Sequence, residues 1–305
     1  MTLLEAIILT VITSSTPLLI AAVGVLVVER SGVLNLGVEG MMIMGAATGV
    51  AAAILSGNSA VGVLAAVLAG MAMAAVFGAL TLGLATNQVA TGLALTILGL
   101  GLSGVVGFPF VGVQREGIGK VELPWLAEIP FVGPILFHQD PFVYLSFALV
   151  AGVAWFLWRT KAGLVLRACG ENAAAAHALG YPVLLIRFGA VLFGGGCAGL
   201  AGAYLSLVHT PFWTAGMTAG RGWIALAIVV FASWLPWRAA IGAYLFGGVT
   251  ILQLHAQGAG VPLPPQLLAA MPYLITVVVL VLIMRVRLKG AVGPGSLGVS
   301  FVPER

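Results

Sequence analysis

Residues 159–180 read RTKAGLVLRACGENAAAAHALG, and this stretch decides how the rest of the chain is read. It is basic, Ala-rich and helix-prone, and it lies between long apolar runs. It is too long and too helical for a simple connector. It reads as a contact surface beyond the lipid headgroups, which would make the chain one part of a larger assembly.

Composition explains the setting of this island. Only 7% of residues are charged, 61% are hydrophobic and the mean hydropathy is +1.15. A soluble domain carries about 25% charged residues, so this chain cannot cover itself with a hydrated surface. An all-α polytopic membrane protein is expected, with residues 1–305 forming a single transmembrane domain. The 42 glycines fit that class, because glycine lets membrane helices approach closely. No cleavable signal peptide is expected, since no basic segment precedes the first apolar run.

Several function classes are excluded early. A net charge of +4 without a basic face does not suit nucleic acid. Cys169 and Cys197 match no redox or metal spacing, and His138, His177, His209 and His255 match no zinc motif, so no metal site is expected. There is no phosphate loop and no recognisable nucleophilic set, so the chain is expected to be neither an ATPase nor another enzyme.

A span needs roughly 20 apolar residues, fewer where the helix is broken and protected by neighbours. Candidate spans are 5–28, 39–56, 60–83, 88–108, 141–158, 184–208, 222–235, 239–256 and 267–284. That is about nine, within a range of eight to ten. The run 222–235 is short and is expected to be a half-helix or part of a bent pair. Basic residues set the orientation. With nine spans, Arg30, Arg159, Lys161, Arg167, Arg187, Arg238, Arg285, Arg287, Lys289 and Arg305 share one side. Only Arg115, Lys120 and Arg221 remain for the other. The basic side is expected to be cytoplasmic, with the N-terminus outside and the C-terminus inside.

Two long segments leave the membrane in this reading. Residues 159–183 form the cytoplasmic loop. Residues 109–140 form an external loop stiffened by Pro109, Pro124, Pro130 and Pro134 and carrying Trp125, Glu116, Glu122, Glu128 and Asp140. The external loop either receives a soluble partner or rests at headgroup level on its tryptophan.

Polar residues at membrane depth are the candidates for a solute pathway. Residues 29–40, ERSGVLNLGVEG, interrupt the first two apolar runs without becoming a polar loop. Irregular backbone survives there only when protein or a water-filled cavity satisfies it. Asn35 and Glu39 would share a helix face, and an intramembrane carboxylate is a functional candidate. Alternatively, Glu39 pairs with Arg30 and only fixes the fold. Asn87, Gln88 and Thr91 open the fourth span, either to bind a polar solute or to cap a helix. Gln253 lies near the outer end of the eighth span.

The chain resembles the membrane permeases of bacterial ABC importers, in the branch of ribose-type sugar, branched-chain amino acid and nucleoside permeases. Three stretches carry the resemblance: Glu29–Gly40, Thr160–Gly180 with its TKAGLVLRACGENAAAAHALG pattern, and Gly222–Gly247 with GWIALAIVVFASWLPWRAAIGAYLFG. The first is most similar to simple-sugar and nucleoside permeases. The second resembles the family's cytoplasmic coupling segment, although Ala173 stands where the family usually has proline. Arg221, Ser233 and Arg238 stand where relatives more often have small residues or glycine.

The resemblance implies a permease subunit in the bacterial inner membrane. It would carry nucleosides or a related ribose-bearing or simple-sugar solute, with branched-chain amino acids as the alternative. It implies a second permease subunit, usually a different and longer chain, an external solute-binding protein and a cytoplasmic ABC ATPase. ATP and magnesium would sit on that ATPase, and this chain would bind no cofactor. Arg167, Gly170, Glu171, Asn172, Ala176 and Gly180 would form the ATPase-coupling surface, where an interfacial helix resting only on anionic lipid is the other reading. A secondary transporter would need coupling carboxylates in the membrane, for which Glu39 is the one fair candidate. A passive channel would need no such loop.

Overall fold

A computed structural model describes residues 3–122, 137–260 and 293–303, with scattered positions between 133 and 281. The regular structure of the described chain is helical apart from a short antiparallel ribbon, β1 (Val121–Glu122) with β2 (His138–Gln139), and one bridge between Val111 and Trp213. Much of the predicted external loop, including Pro124, Trp125, Glu128, Pro130 and Pro134, lies outside the described residues.

The helices are α1 (Leu3–Arg30), α2 (Val38–Ser56), α3 (Ser59–Gly78), α4 (Gln88–Gly107), α5 (Pro141–Arg159), α6 (Lys161–Glu171), α7 (Ala173–Ala178), α8 (Val183–Tyr204), α9 (Arg221–Phe231) and α10 (Pro236–Gly258). Helices α3 and α8 continue into π-helical turns at Ala79–Gly83 and Leu205–His209. Among the described residues, seven helices are long and apolar enough to cross a membrane. They correspond to seven of the expected spans. The run 222–235, expected to be a half-helix or part of a bent pair, is the short helix α9 followed by a turn. Half of the expected span 267–284 falls outside the described residues, its described positions being helical.

Helices α1, α2 and α8 form the centre, with α3, α4, α5 and α10 around them. Small residues make this possible. Gly45 of α2 and Gly70 of α3 both pack on the backbone of Gly199 in α8, and Gly202 packs on Met42. Close backbone approach replaces the hydrophobic drive that lipid does not supply. The outward-facing sides are correspondingly apolar, as with exposed Ile97 and Val105 on α4 and Phe108 just after it.

Two ends of the bundle can be distinguished. Arg30, Trp158, Arg167 and Arg187 gather at one end with α6, α7 and residues 293–303. The opposite end carries residues 111–118, where Arg115 donates to Ser59 (2.9 Å) and Ile118 N–H to the Leu207 carbonyl (3.0 Å). Asp140 also lies at this far end. It caps α5 by accepting from Phe142 N–H (2.9 Å) and Val143 N–H (3.2 Å), and burial pushes its carboxyl above the ordinary range.

Candidate functional site

The chain leaves α1 at Arg30 and climbs back into the bundle before α2 begins. Leu34 N–H donates to the Gln88 side-chain oxygen (2.8 Å), and the Thr96 hydroxyl donates to the Leu36 carbonyl (3.0 Å). At 1.5 Å per residue, the distance along α4 from Gln88 to Thr96 is about 12 Å. Non-helical backbone therefore lies well inside the membrane, and side chains of α4 satisfy it, as such backbone requires. The Asn35 side-chain oxygen accepts from Gly37 N–H (2.8 Å) and closes a local turn.

Glu39 stands at the top of this climb, only 4% exposed. Its Oε1 accepts from the Thr218 hydroxyl (2.6 Å) and Gly220 N–H (2.9 Å), and its Oε2 accepts from Gly222 N–H (2.6 Å). Those donors surround the start of α9. A helix begins with unpaired N–H groups and partial positive charge, and here a buried carboxylate from another helix satisfies both. Residues 210–220, which lead to this point, are largely non-helical. Helix α9 is thus a half-helix that starts inside the bundle.

The other end of α9 is held by the same segment. After Phe231 the chain turns through Ser233 (φ 50°) and Trp234 (φ 56°), left-handed conformations in residues other than glycine. Each costs about 1–3 kcal/mol and persists only when surroundings enforce it. The Trp234 indole N–H donates to buried Glu29 (2.6 Å), and its carbonyl accepts from Arg30 Nε (3.1 Å) and Nη2 (3.0 Å). Glu29, Arg30 and Glu39 together fix both ends of one broken helix. The alternative Glu39–Arg30 pair is absent: Glu39 accepts from donors around the start of α9, and Arg30 donates to the Trp234 carbonyl in the turn after it.

The other predicted pathway residues occupy different places. Gln88 is buried beside Asn35, and its Nε2 lacks a hydrogen-bond partner. Asn87 is exposed and caps α4 through Ala90 N–H (3.0 Å), while Thr91 shares a hydroxyl hydrogen bond with Thr86 (2.9 Å). Gln253 is half-buried on the far half of α10, away from this group. Sequence reasoning missed Glu29, Thr218 and Trp234 as partners. The Gly220-Arg221-Gly222 run just before an apolar stretch was the available signal that a helix starts there.

The loop after α5 folds as two short helices. Thr160 caps α6 through Gly163 N–H (3.0 Å), and Asn172 caps α7 through Ala175 N–H (2.9 Å). Gly170 lies so close to the Arg30 carbonyl that a Cβ would overlap it. Arg167 does not pair with Glu171; it lies over the Trp158 ring at 5.8 Å, opposite a similar contact from Arg30 at 5.9 Å. Ala176 packs with Cys169, Ala173 and Val183 in a small cluster of its own. Burial raises the Cys169 thiol, partly opposed by the Arg187 guanidinium, so the cysteine is a packing residue. Gly180 (φ 88°) ends α7. Exposed Leu164, Leu179 and Tyr181 project from this loop.

A family model described as the branched-chain amino acid transport system / permease component matches residues 7–284. The chain belongs to this permease family. It is 41% identical over 289 residues to a putative glucose ABC transporter permease from Haloferax volcanii, covering 88% of each chain. A nucleoside ABC transporter permease from Lactococcus lactis is 30% identical over 318 residues, covering 99% of this chain and 98% of its own. A guanosine ABC transporter permease from Bacillus subtilis is 32% identical over 283 residues, covering 87% and 88%. No solved structure gives a significant match. The permease is a transport subunit rather than an enzyme, and in ABC transporters the ATPase is a separate subunit.

Proposed function

We propose that this permease carries a nucleoside, a related ribose-bearing solute or a simple sugar into the cytoplasm, within an ATP-driven importer of the inner membrane. Its likeness to permeases named for glucose, nucleosides and guanosine, along nearly the whole chain, carries this reading. The family description also names branched-chain amino acids, which makes leucine the control solute. The assembly comprises a second permease subunit, a cytoplasmic ATPase that holds ATP and magnesium, and an external solute-binding protein.

Residues 159–183 face the ATPase in this reading, through Arg167, Gly170, Glu171, Asn172, Ala176 and Gly180. Arg30 lies at the same end, so the start of α1 is outside. Nine crossings are supported by two positions. Helix α10 runs away from the coupling end at Trp234, while residues 293–303 are back at that end.

The solute path forms between the two permease subunits. Asn87 and Thr91 meet solute near the inner surface and Gln253 nearer the outer one. Asn35, Glu39 and Gln88 support the wall behind the path.

The test uses the complete transporter in vesicles and titration of the cognate binding protein with glucose, ribose, uridine, guanosine and leucine. Uptake that requires ATP and binding protein, with tight binding of a sugar or nucleoside, is expected. Uptake indifferent to ATP would overturn the importer reading, and tight binding of leucine alone would overturn the substrate class.

A further inference from the structure

Residues 293–303 are not an idle tail. Ser296 donates its N–H to the Gly170 carbonyl (2.8 Å) and its hydroxyl to the Glu171 carbonyl (3.2 Å). Gly295 N–H donates to Glu171 Oε2 (3.2 Å), and Gly298 N–H donates to the Gly32 carbonyl (3.2 Å). Phe301 meets His177 edge-on at 5.6 Å and packs on the Cys169–Ala173–Ala176–Val183 cluster. This one stretch is hydrogen-bonded both to the coupling helices and to the turn that begins the climb toward Glu39.

Arg187 locks the same junction from inside. It is wholly buried, and it donates from Nε to the Ser31 carbonyl (3.0 Å), from Nη2 to the Cys169 carbonyl (3.1 Å) and from Nη1 to the Val299 carbonyl (3.3 Å). Three chain segments, distant in sequence, share one rigid fork of donors. A planar guanidinium fixes directions that a lysine ammonium cannot. There is little slack around it. Gly32 (φ 91°) has its missing Cβ position 2.6 Å from Nη2, and Gly170 abuts the Arg30 carbonyl.

We propose that residues 293–303, joined through Arg187, are a working part of the coupling device. They carry displacement of α6 and α7 to Ser31 and Gly32, and so to the Glu29–Gly40 segment that holds both ends of α9. Arg187 is a positioning residue, because it acts through the three carbonyls and not on solute. This inference rests on the importer reading above. Coupling of this kind needs a continuous physical connection between two moving parts. A hydrogen bond supplies each step: Gly295 to Glu171, Gly298 to Gly32, Arg187 to Ser31, and the start of α9 to Glu39.

The experiment measures solute uptake per ATP hydrolysed by the complete transporter in vesicles, in three forms: residues 293–305 deleted, Phe301→Ala, and Arg187→Lys. The deletion and Arg187→Lys are expected to keep the ATPase bound and hydrolysing while uptake per ATP falls about tenfold, with Phe301→Ala about threefold. A segment that only stabilised the fold would lower the amount of assembled transporter, and uptake and hydrolysis would fall in proportion. That outcome, or unchanged uptake per ATP in all three forms, would overturn the proposal. If the deletion fails to assemble, the two substitutions decide between the same outcomes. ATP-independent uptake by the unaltered transporter would instead strike the importer reading, so the two failures are distinguishable.

Discussion

The Glu29–Gly40 segment and the Lys161–Gly180 loop both interrupt apolar sequence with charge and glycine, yet they use their polar groups in opposite ways. In the first, Glu29, Arg30 and Glu39 are all engaged with Trp234 or the start of α9, and the two carboxylates are almost fully buried. In the second and at its edges, the side-chain caps of Thr160 and Asn172 face backbone next door, Glu171 reaches a distant donor, Gly295 N–H, only at an exposed position, and apolar Leu164, Leu179 and Tyr181 stand exposed. Residue type does not distinguish these roles. What distinguishes them is whether the fold brings unpaired backbone groups to the charge. Helix α9 starts and ends inside protein, so its termini need partners, and the first segment supplies them.

The largest test of this contrast is Glu39→Ala. Three donors, two of them buried, lose their acceptor, a change comparable with breaking a buried ion pair, which costs about 3–5 kcal/mol. Folded permease recovered in detergent should fall sharply, and its thermal midpoint with it. Glu39→Gln, which keeps an accepting oxygen, should be milder. If Glu39→Ala kept its thermal midpoint and lost only transport, Glu39 would be a solute contact after all and the contrast would fail.

At the opposite end of α9, Trp234→Phe keeps an aromatic ring and removes one donor. Buried Glu29 then loses the Trp234 N–H, at a cost of about 1–3 kcal/mol. The expected result is a lower thermal midpoint than wild type but a smaller drop than for Glu39→Ala. A drop as large as that of Glu39→Ala would mean that the turn at Ser233 and Trp234, not the start of α9, is the weak point.

These two ends also show what could be read from sequence. Hydropathy gave seven spans closely, because lipid imposes length and apolarity on each helix alone. The half-helix was anticipated from the shortness of 222–235, but its clamp was not. Glu39 and Gly222 are far apart in sequence, and no local pattern states that one caps the other. The caps by Thr160 and Asn172 are of a kind that local sequence can carry. Their partners lie three residues away, within the reach of local chemistry. The role of residues 293–303 was hidden for the same reason as the clamp, since Ser296 and Gly298 bond to backbone that any residue carries.

On the loop side, Glu171→Arg should leave spans and thermal midpoint close to wild type. It replaces the acceptor of Gly295 N–H and reverses charge on the face read as meeting the ATPase. Uptake per ATP should fall about tenfold, equivalent to about 1.4 kcal/mol of coupling. Gly170→Pro should also lower uptake per ATP, but it overlaps the Arg30 carbonyl and removes a helical N–H from α6, so its thermal midpoint should fall as well. Normal coupled uptake in both would move the ATPase contact away from α6 and α7.

The smallest effect is expected from Asn172→Ala. Losing a side-chain cap costs about 1 kcal/mol, and α7 has only six residues over which to absorb it. The helix is also held by burial of Ala173 and Ala176 against Cys169 and Val183, so it should persist with a frayed start. The expected readout is a few-fold weaker association of the ATPase, with unchanged permease stability. Asn172→Asp, which keeps an accepting oxygen, should restore association. If alanine and aspartate weakened association equally, the amide itself would be touching the partner, and the loop would resemble the Glu39 region in using a polar side chain across an interface.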